Sequence, residues 1–125
     1  QAHTLFPYTT LFRSEVADQL ISESIREIIQ LNNEAVRRAK AGELAVAAEM
    51  LSDAAHRLPG NMQVVSNAAS ALLFDVFTNG LDAAKLRTAQ TFQQAVEAQS
   101  PTHPKLAEMA ELMKRIRSKY AQAGK

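Results

Sequence analysis

The sequence predicts an all-α fold: antiparallel helix pairs stacked as a short superhelix and closed by a terminal capping helix. Three observations lead there. Ala, Leu, Glu, Gln, Lys and Arg dominate, while aromatic residues make up only 6%; that composition favours helix over strand. Glycine and proline fall only at Pro7, Gly42, Pro59-Gly60, Gly80, Pro101, Pro104 and Gly124. The long stretches between them show no sustained alternation with period two. Finally, those stretches resemble one another at fixed spacings.

The first helix is expected over 16–41. Val16, Leu20, Ile21, Ile25, Ile28 and Ile29 form an apolar stripe at spacings of three and four, and no breaker separates it from Leu31. A second helix is expected over 44–57, where Pro59 cannot continue it and Leu58-Pro59-Gly60-Asn61 turns the chain. The third and fourth are placed at 62–78 and 82–99, divided by Thr78-Asn79-Gly80-Leu81 and ended by Pro101. The fifth, over 104–121, carries Leu106, Met109, Ala110, Met113, Ile116 and Tyr120 on one face. The expected core is Leu31, Ala35, Ala47, Leu51, Ala54, Val65, Ala69, Leu72, Phe92, Ala95, Leu106 and Ala110.

At a spacing of 34, Leu31 pairs with Val65, Asn33 with Asn67 and Ala35 with Ala69, in the strings LNNEA and VSNAA. At 41, Leu51 pairs with Phe92, Ala54 with Ala95 and Ala55 with Val96; Ala47 pairs less well with Thr88. The difference is expected as a longer turn around Thr78–Leu81. Small Ala35 and Ala47 let two antiparallel helices approach closely, with Leu51 filling the space beside them. The pattern resembles the tetratricopeptide repeat, a helix-turn-helix unit that stacks into a superhelix. Under that resemblance Leu31 and Ala35 take first-helix positions, Ala47, Leu51 and Ala54 take second-helix positions, and Pro59 closes the unit. Glu34 and Arg38 depart from it, standing where the family is usually apolar or aromatic.

Residues 4–14, TLFPYTTLFRS, resemble the translation of a short-read sequencing adapter. Residues 1–14 are therefore expected to be an unstructured artefact, with the natural chain beginning near Glu15 and continuing upstream. Residues 15–30 are read as a linker or extended helix and 31–125 as the repeat domain. The wording LNNEAVRRAKAGELAVAAEMLSDAAHRLPGN also resembles the C-terminal repeat region of bacterial response regulators that join a receiver domain to such repeats. That implies a module of a larger signalling protein.

Fourteen Lys and Arg stand against thirteen Asp and Glu, and setting Arg13 aside with the adapter-like segment makes them equal. Global charge therefore gives no reason to expect a polyanionic partner. There is no cysteine, which fits a cytoplasmic location and removes thiolate and disulfide chemistry. No apolar run approaches the roughly 20 residues of a membrane helix. His56 near a helix end and His103 between Thr102 and Pro104 have no catalytic or ligand partners in view. No HExxH, paired-cysteine, EF-hand or glycine-rich phosphate motif is present. The expectation is no enzyme activity, no cofactor and no metal.

The repeat resemblance implies a groove for a protein or peptide, formed by the first helix of each unit. Carried over by position, it presents Asn32, Val36 and Lys40; Ser66, Asn67, Ser70 and Phe74; and Glu111, Lys114 and Arg115. Asn33 and Asn67 are the matched pair: a side-chain amide either bonds the backbone of an extended ligand or ties neighbouring helices together. The family's carboxylate-binding members carry a lysine where Asn32 stands. Residues 16–29 are expected to meet an upstream domain or a second copy. Two alternatives remain at this level: an accessory domain of an enzyme, or a nucleic-acid binder using Arg37, Arg38, Lys40 and the bases of the last helix.

Overall fold

A computed structural model describes the backbone of residues 2–123 and the side chains of residues 14–122. The described residues form five helices and no strand: α1 (Ala2–Lys40), α2 (Leu44–Arg57), α3 (Met62–Asn79), α4 (Ala83–Gln99) and α5 (Lys105–Ala123). The four later helices lie within two residues of their expected bounds. Their ends follow from local chemistry. Asn61 caps α3 by accepting from the Val64 N–H at 3.1 Å. Asp82 caps α4 by accepting from the Ala84 and Lys85 N–H groups. His103 accepts from the Lys105 N–H at 3.1 Å and so serves the start of α5. Each satisfies donors that the first helical turn leaves free.

The first boundary differs. The backbone is helical from Ala2, not from Val16, so the segment expected to be unstructured continues α1. Nothing local marks Val16 as a start, and no breaker separates Ser14 and Glu15 from Lys40. Pro7 lies inside the extension, and the sequence gives no physical reason for helix across it. The side chains of residues 1–13 lie outside the described residues, as does the expectation that they are unpacked.

The helix α3 is central. It packs against α2, α4 and α5, and more lightly against α1; α2 also packs on α1, while α4 and α5 barely touch. Every residue from Val64 to Leu73 is buried, as expected of a helix with neighbours all round. Alanines 35, 47, 54, 68 and 69 are fully buried, so the backbones can approach closely and Leu51, Leu73, Val65 and Val96 fill the space between. Most of the expected core is buried, with Leu31, Ala95 and Leu106 partly so. Ala110 is the exception: it is exposed, and α5 meets the core through Met109, Leu112, Met113 and Ile116. Flexible methionines can fill an irregular gap that alanine cannot.

The extra residues of the second helix pair are not in the turn. Three residues, 41–43, join α1 to α2, and three, 80–82, join α3 to α4. Both turns use a glycine at positive φ, Gly42 at 90° and Gly80 at 136°. The added length sits instead inside the helices, mostly at the end of α3, which runs about five residues further than the matching part of α1, with about two more at the start of α4. The buried small residue on α4 is Ala89, with the poorly matched Thr88 beside it.

The end of α5 is tied to the end of α3. The Tyr120 hydroxyl donates to the Val76 carbonyl at 2.6 Å. Lys119 donates to the Phe77 carbonyl, with its ammonium 4.7 Å from the Phe77 ring centre. The Val76 carbonyl also accepts from the capping Gly80 N–H at 3.2 Å, so the cation and the hydroxyl add to the capping of the α3 C-terminus, where positive charge is favoured. Tyr120→Phe is expected to lower stability by about 0.5–1.5 kcal/mol, the net worth of one hydrogen bond, measured by urea unfolding.

Candidate functional site

A groove of about 380 Å³ opens where α1, α2, α3 and α5 converge. Val36, Leu44, Leu51, Ala71 and Phe74 provide its apolar lining, with Lys40, Lys105 and Glu108 supplying charge. Five of the expected residues, Val36, Lys40, Asn67, Ser70 and Phe74, come together here. Phe74 is 37% exposed, unusual for a large apolar side chain on the most buried helix of the fold.

The remaining expected positions fall elsewhere. Asn32 is 5% exposed and turned inward, where it accepts from Asn67 Nδ2 at 3.1 Å and donates to Asn33 Oδ1 at 3.2 Å. Lys105 in turn donates to Asn67 Oδ1. A polar chain Asn33–Asn32–Asn67–Lys105 thus joins α1, α3 and α5. The sequence had matched Asn33 with Asn67, but it is Asn32 that reaches Asn67, while Asn33 is exposed. Ser66 is fully buried and donates back to the Gln63 carbonyl, away from the groove. Glu111, Lys114 and Arg115 are exposed but do not line it; Glu111 and Arg115 pair with each other at 3.3 Å. They miss the groove because α5 lies along α3 with its first turn at the opening, which leaves residues 111–115 one to three turns further along. Lys105 and Glu108 occupy the place expected of them.

Ser70 Oγ is the one buried side-chain polar atom without a hydrogen-bond partner among the described residues. The residue is 6% exposed and forms part of the groove wall. A buried hydroxyl left unpaired costs stability.

Two further features escaped the sequence reading. A second groove of about 530 Å³ lies between α2 and α4, over Leu72, with Glu49, Asp53, His56 and Lys85 on its walls. His56 Nδ1 lies 2.8 Å from the Ser52 carbonyl and its ring meets Phe92 edge-on at 5.1 Å. Behind Lys85 lies Asp75, 1% exposed, whose carboxylate accepts from Lys85 Nζ at 2.8 Å and Asn79 Nδ2 at 2.7 Å. The hydrogen bond to Asp75 raises the Lys85 pKa above its ordinary value, against the opposing effect of burial. The available signal was an acid inside the apolar string ALLFDVF, which needs a partner if the run is buried.

One acid offsets part of the basic charge at the end of α1. Glu34 lies between Arg37 and Arg38 and pairs with both. Its hydrogen bond with Arg37, then the charge of that guanidinium, hold its carboxyl below the ordinary range. Among the described residues no group of three or more His, Asp or Glu is placed to hold a metal ion, and no helix is long and apolar enough to cross a membrane. No family model, curated protein or solved structure matches the chain.

Proposed function

We propose that the chain is a non-catalytic protein–protein interaction module of tetratricopeptide-repeat type, whose working surface is the groove between α1, α3 and α5. The observation that carries this reading is an apolar groove with Phe74 exposed on its wall and an unpartnered Ser70 hydroxyl beside it. Hot spots of protein interfaces cluster around such exposed aromatic anchors in pockets. The amides of Asn32 and Asn67 are already occupied with each other, so their part is to hold α1 at a set distance from α3. Ligand contact falls to Phe74, Val36, Ser70 and Lys40. The near balance of fourteen bases and thirteen acids, with Glu34 offsetting one charge of the Arg37–Arg38 pair, weighs against nucleic acid, which needs an excess of bases to neutralise phosphates. The likeness to repeat regions of bacterial response regulators makes a cytoplasmic signalling protein the setting of this reading.

The test is titration of a partner captured from cells against wild type and Phe74→Ala. The expected loss is about 1–2 kcal/mol of binding, with unchanged circular dichroism and melting. Asn67→Ala is expected to lower the melting temperature, because it breaks the link between α1, α3 and α5. Equal binding by wild type and Phe74→Ala would overturn the reading.

A further inference from the structure

Among the described residues two apolar surfaces of opposite charge are left uncovered, one on the N-terminal part of α1 and one in the groove between the helices. The first is the N-terminal arm of α1. Every residue from Ser14 to Glu27 is exposed, including Val16, Leu20, Ile21 and Ile25, with Leu20 and Ile21 each 57% exposed. These side chains lie at helical spacing on one broad face, and Ile21 and Ile25 continue the line by which Ile28 and Ala35 enter the core. The arm carries four acids, Glu15, Asp18, Glu23 and Glu27, against one base, Arg26. The second surface is the groove, apolar within and carrying two bases, Lys40 and Lys105, against one acid, Glu108.

We infer that the groove of one molecule takes the acidic, apolar arm of α1 from a second copy of this chain. The inference rests on the groove being the working surface. The mode is an amphipathic helix laid into an apolar groove, read through anchors at spacings of one and four, Val16, Leu20, Ile21 and Ile25. Opposite charges on the two surfaces steer the encounter and fix its orientation. The arm cannot fill its own groove. No glycine or proline interrupts Ser14–Lys40, and a straight helix keeps Leu20 and Ile21 about 25–30 Å from Lys40. Because two different surfaces meet, the contact is head-to-tail. It leaves one arm and one groove free at the ends and grows beyond a dimer unless the rotation closes a ring.

The experiment is sedimentation velocity across a concentration series with the full chain. Ile21→Asp/Ile25→Asp disables the arm, and Phe74→Ala/Lys40→Glu disables the groove; both changes lie on exposed positions, and melting curves check that each variant folds. Wild type is expected to show species larger than a dimer, each variant alone to associate at least tenfold more weakly, and an equimolar mixture of the two variants to form a one-to-one heterodimer and stop there. Raising salt is expected to weaken the wild-type association. Three outcomes overturn the inference. If wild type stays monomeric throughout the series, the arm does not dock in the groove. If the arm variant stays monomeric while the groove variant associates normally and salt strengthens association, the arms pair with each other. If the arm variant associates normally and only the groove variant fails, the groove reading stands and its occupant is not the arm.

Discussion

Leu51→Ala is expected to cost about 2–5 kcal/mol, the range for removing a fully buried leucine and leaving a cavity. Leu51 is 2% exposed and belongs to the central cluster, while also forming part of the groove. Its neighbours include rigid, fully buried alanines, which have no side-chain freedom to collapse into the space. Urea unfolding followed by circular dichroism is the measurement, with the slope against denaturant expected to stay unchanged. A loss below about 1 kcal/mol would mean that the helices close around the gap and that the packing is not the tight alanine-lined contact described. Because the residue also lines the groove, the variant is expected to lose partner binding beyond what Phe74→Ala loses.

Lys85→Met is expected to cost about 1–3 kcal/mol at neutral pH, since it leaves a buried carboxylate short of one charged partner. Losing one member of a fully enclosed ion pair costs more than this. Here the lysine side chain is 42% exposed, so water can reach the vacated position, and Asn79 still donates to Asp75. The pH dependence gives a second signature. The folded-state pKa of Lys85 is raised above its ordinary 10.5, chiefly by the hydrogen bond to Asp75. A cation with a raised pKa stabilises fully below its unfolded value, and that contribution is lost as pH rises through the folded value. Wild type is therefore expected to lose stability above about pH 10.5, and the gap between wild type and Lys85→Met to narrow there. A gap that stays constant through that window would show that the lysine contributes through packing of its alkyl stem and not through its charge.

Helix number and bounds were legible in the sequence because breakers are local. Pro59, Gly60, Gly80 and Pro101 punctuate the chain whatever surrounds them, and the four later helices accordingly begin and end within two residues of expectation. The alanines at 35, 47, 54 and 69 were legible for a related reason. A small residue repeated at a fixed spacing marks a close approach of backbones, as Ala35 does with Ala69; Ala47 lacks such a counterpart in Thr88, yet residues 35, 47, 54 and 69 are all fully buried. The groove was half legible. Val36, Lys40, Asn67, Ser70 and Phe74 could be placed from helix periodicity along α1 and α3, while the third wall could not.

The five helices, their order, the alanine seams and two of the groove-lining residues, Phe74 and Lys40, follow from the pattern of the chain alone. Only the tertiary structure decided which turn of α5 meets α3, so that Lys105 and Glu108 face the groove in place of Glu111, Lys114 and Arg115. It also decided that Asn32 and not Asn33 bonds Asn67, that Ala110 faces solvent, and that Asp75 is buried against Lys85. These share one physical cause. Periodicity tells which residues of a helix lie on a common face, but the rotation and axial shift of one helix against another depend on how side chains from distant parts of the chain interlock. One residue along a helix turns a side chain by about 100°, so small differences in packing exchange buried for exposed positions without altering the helices themselves.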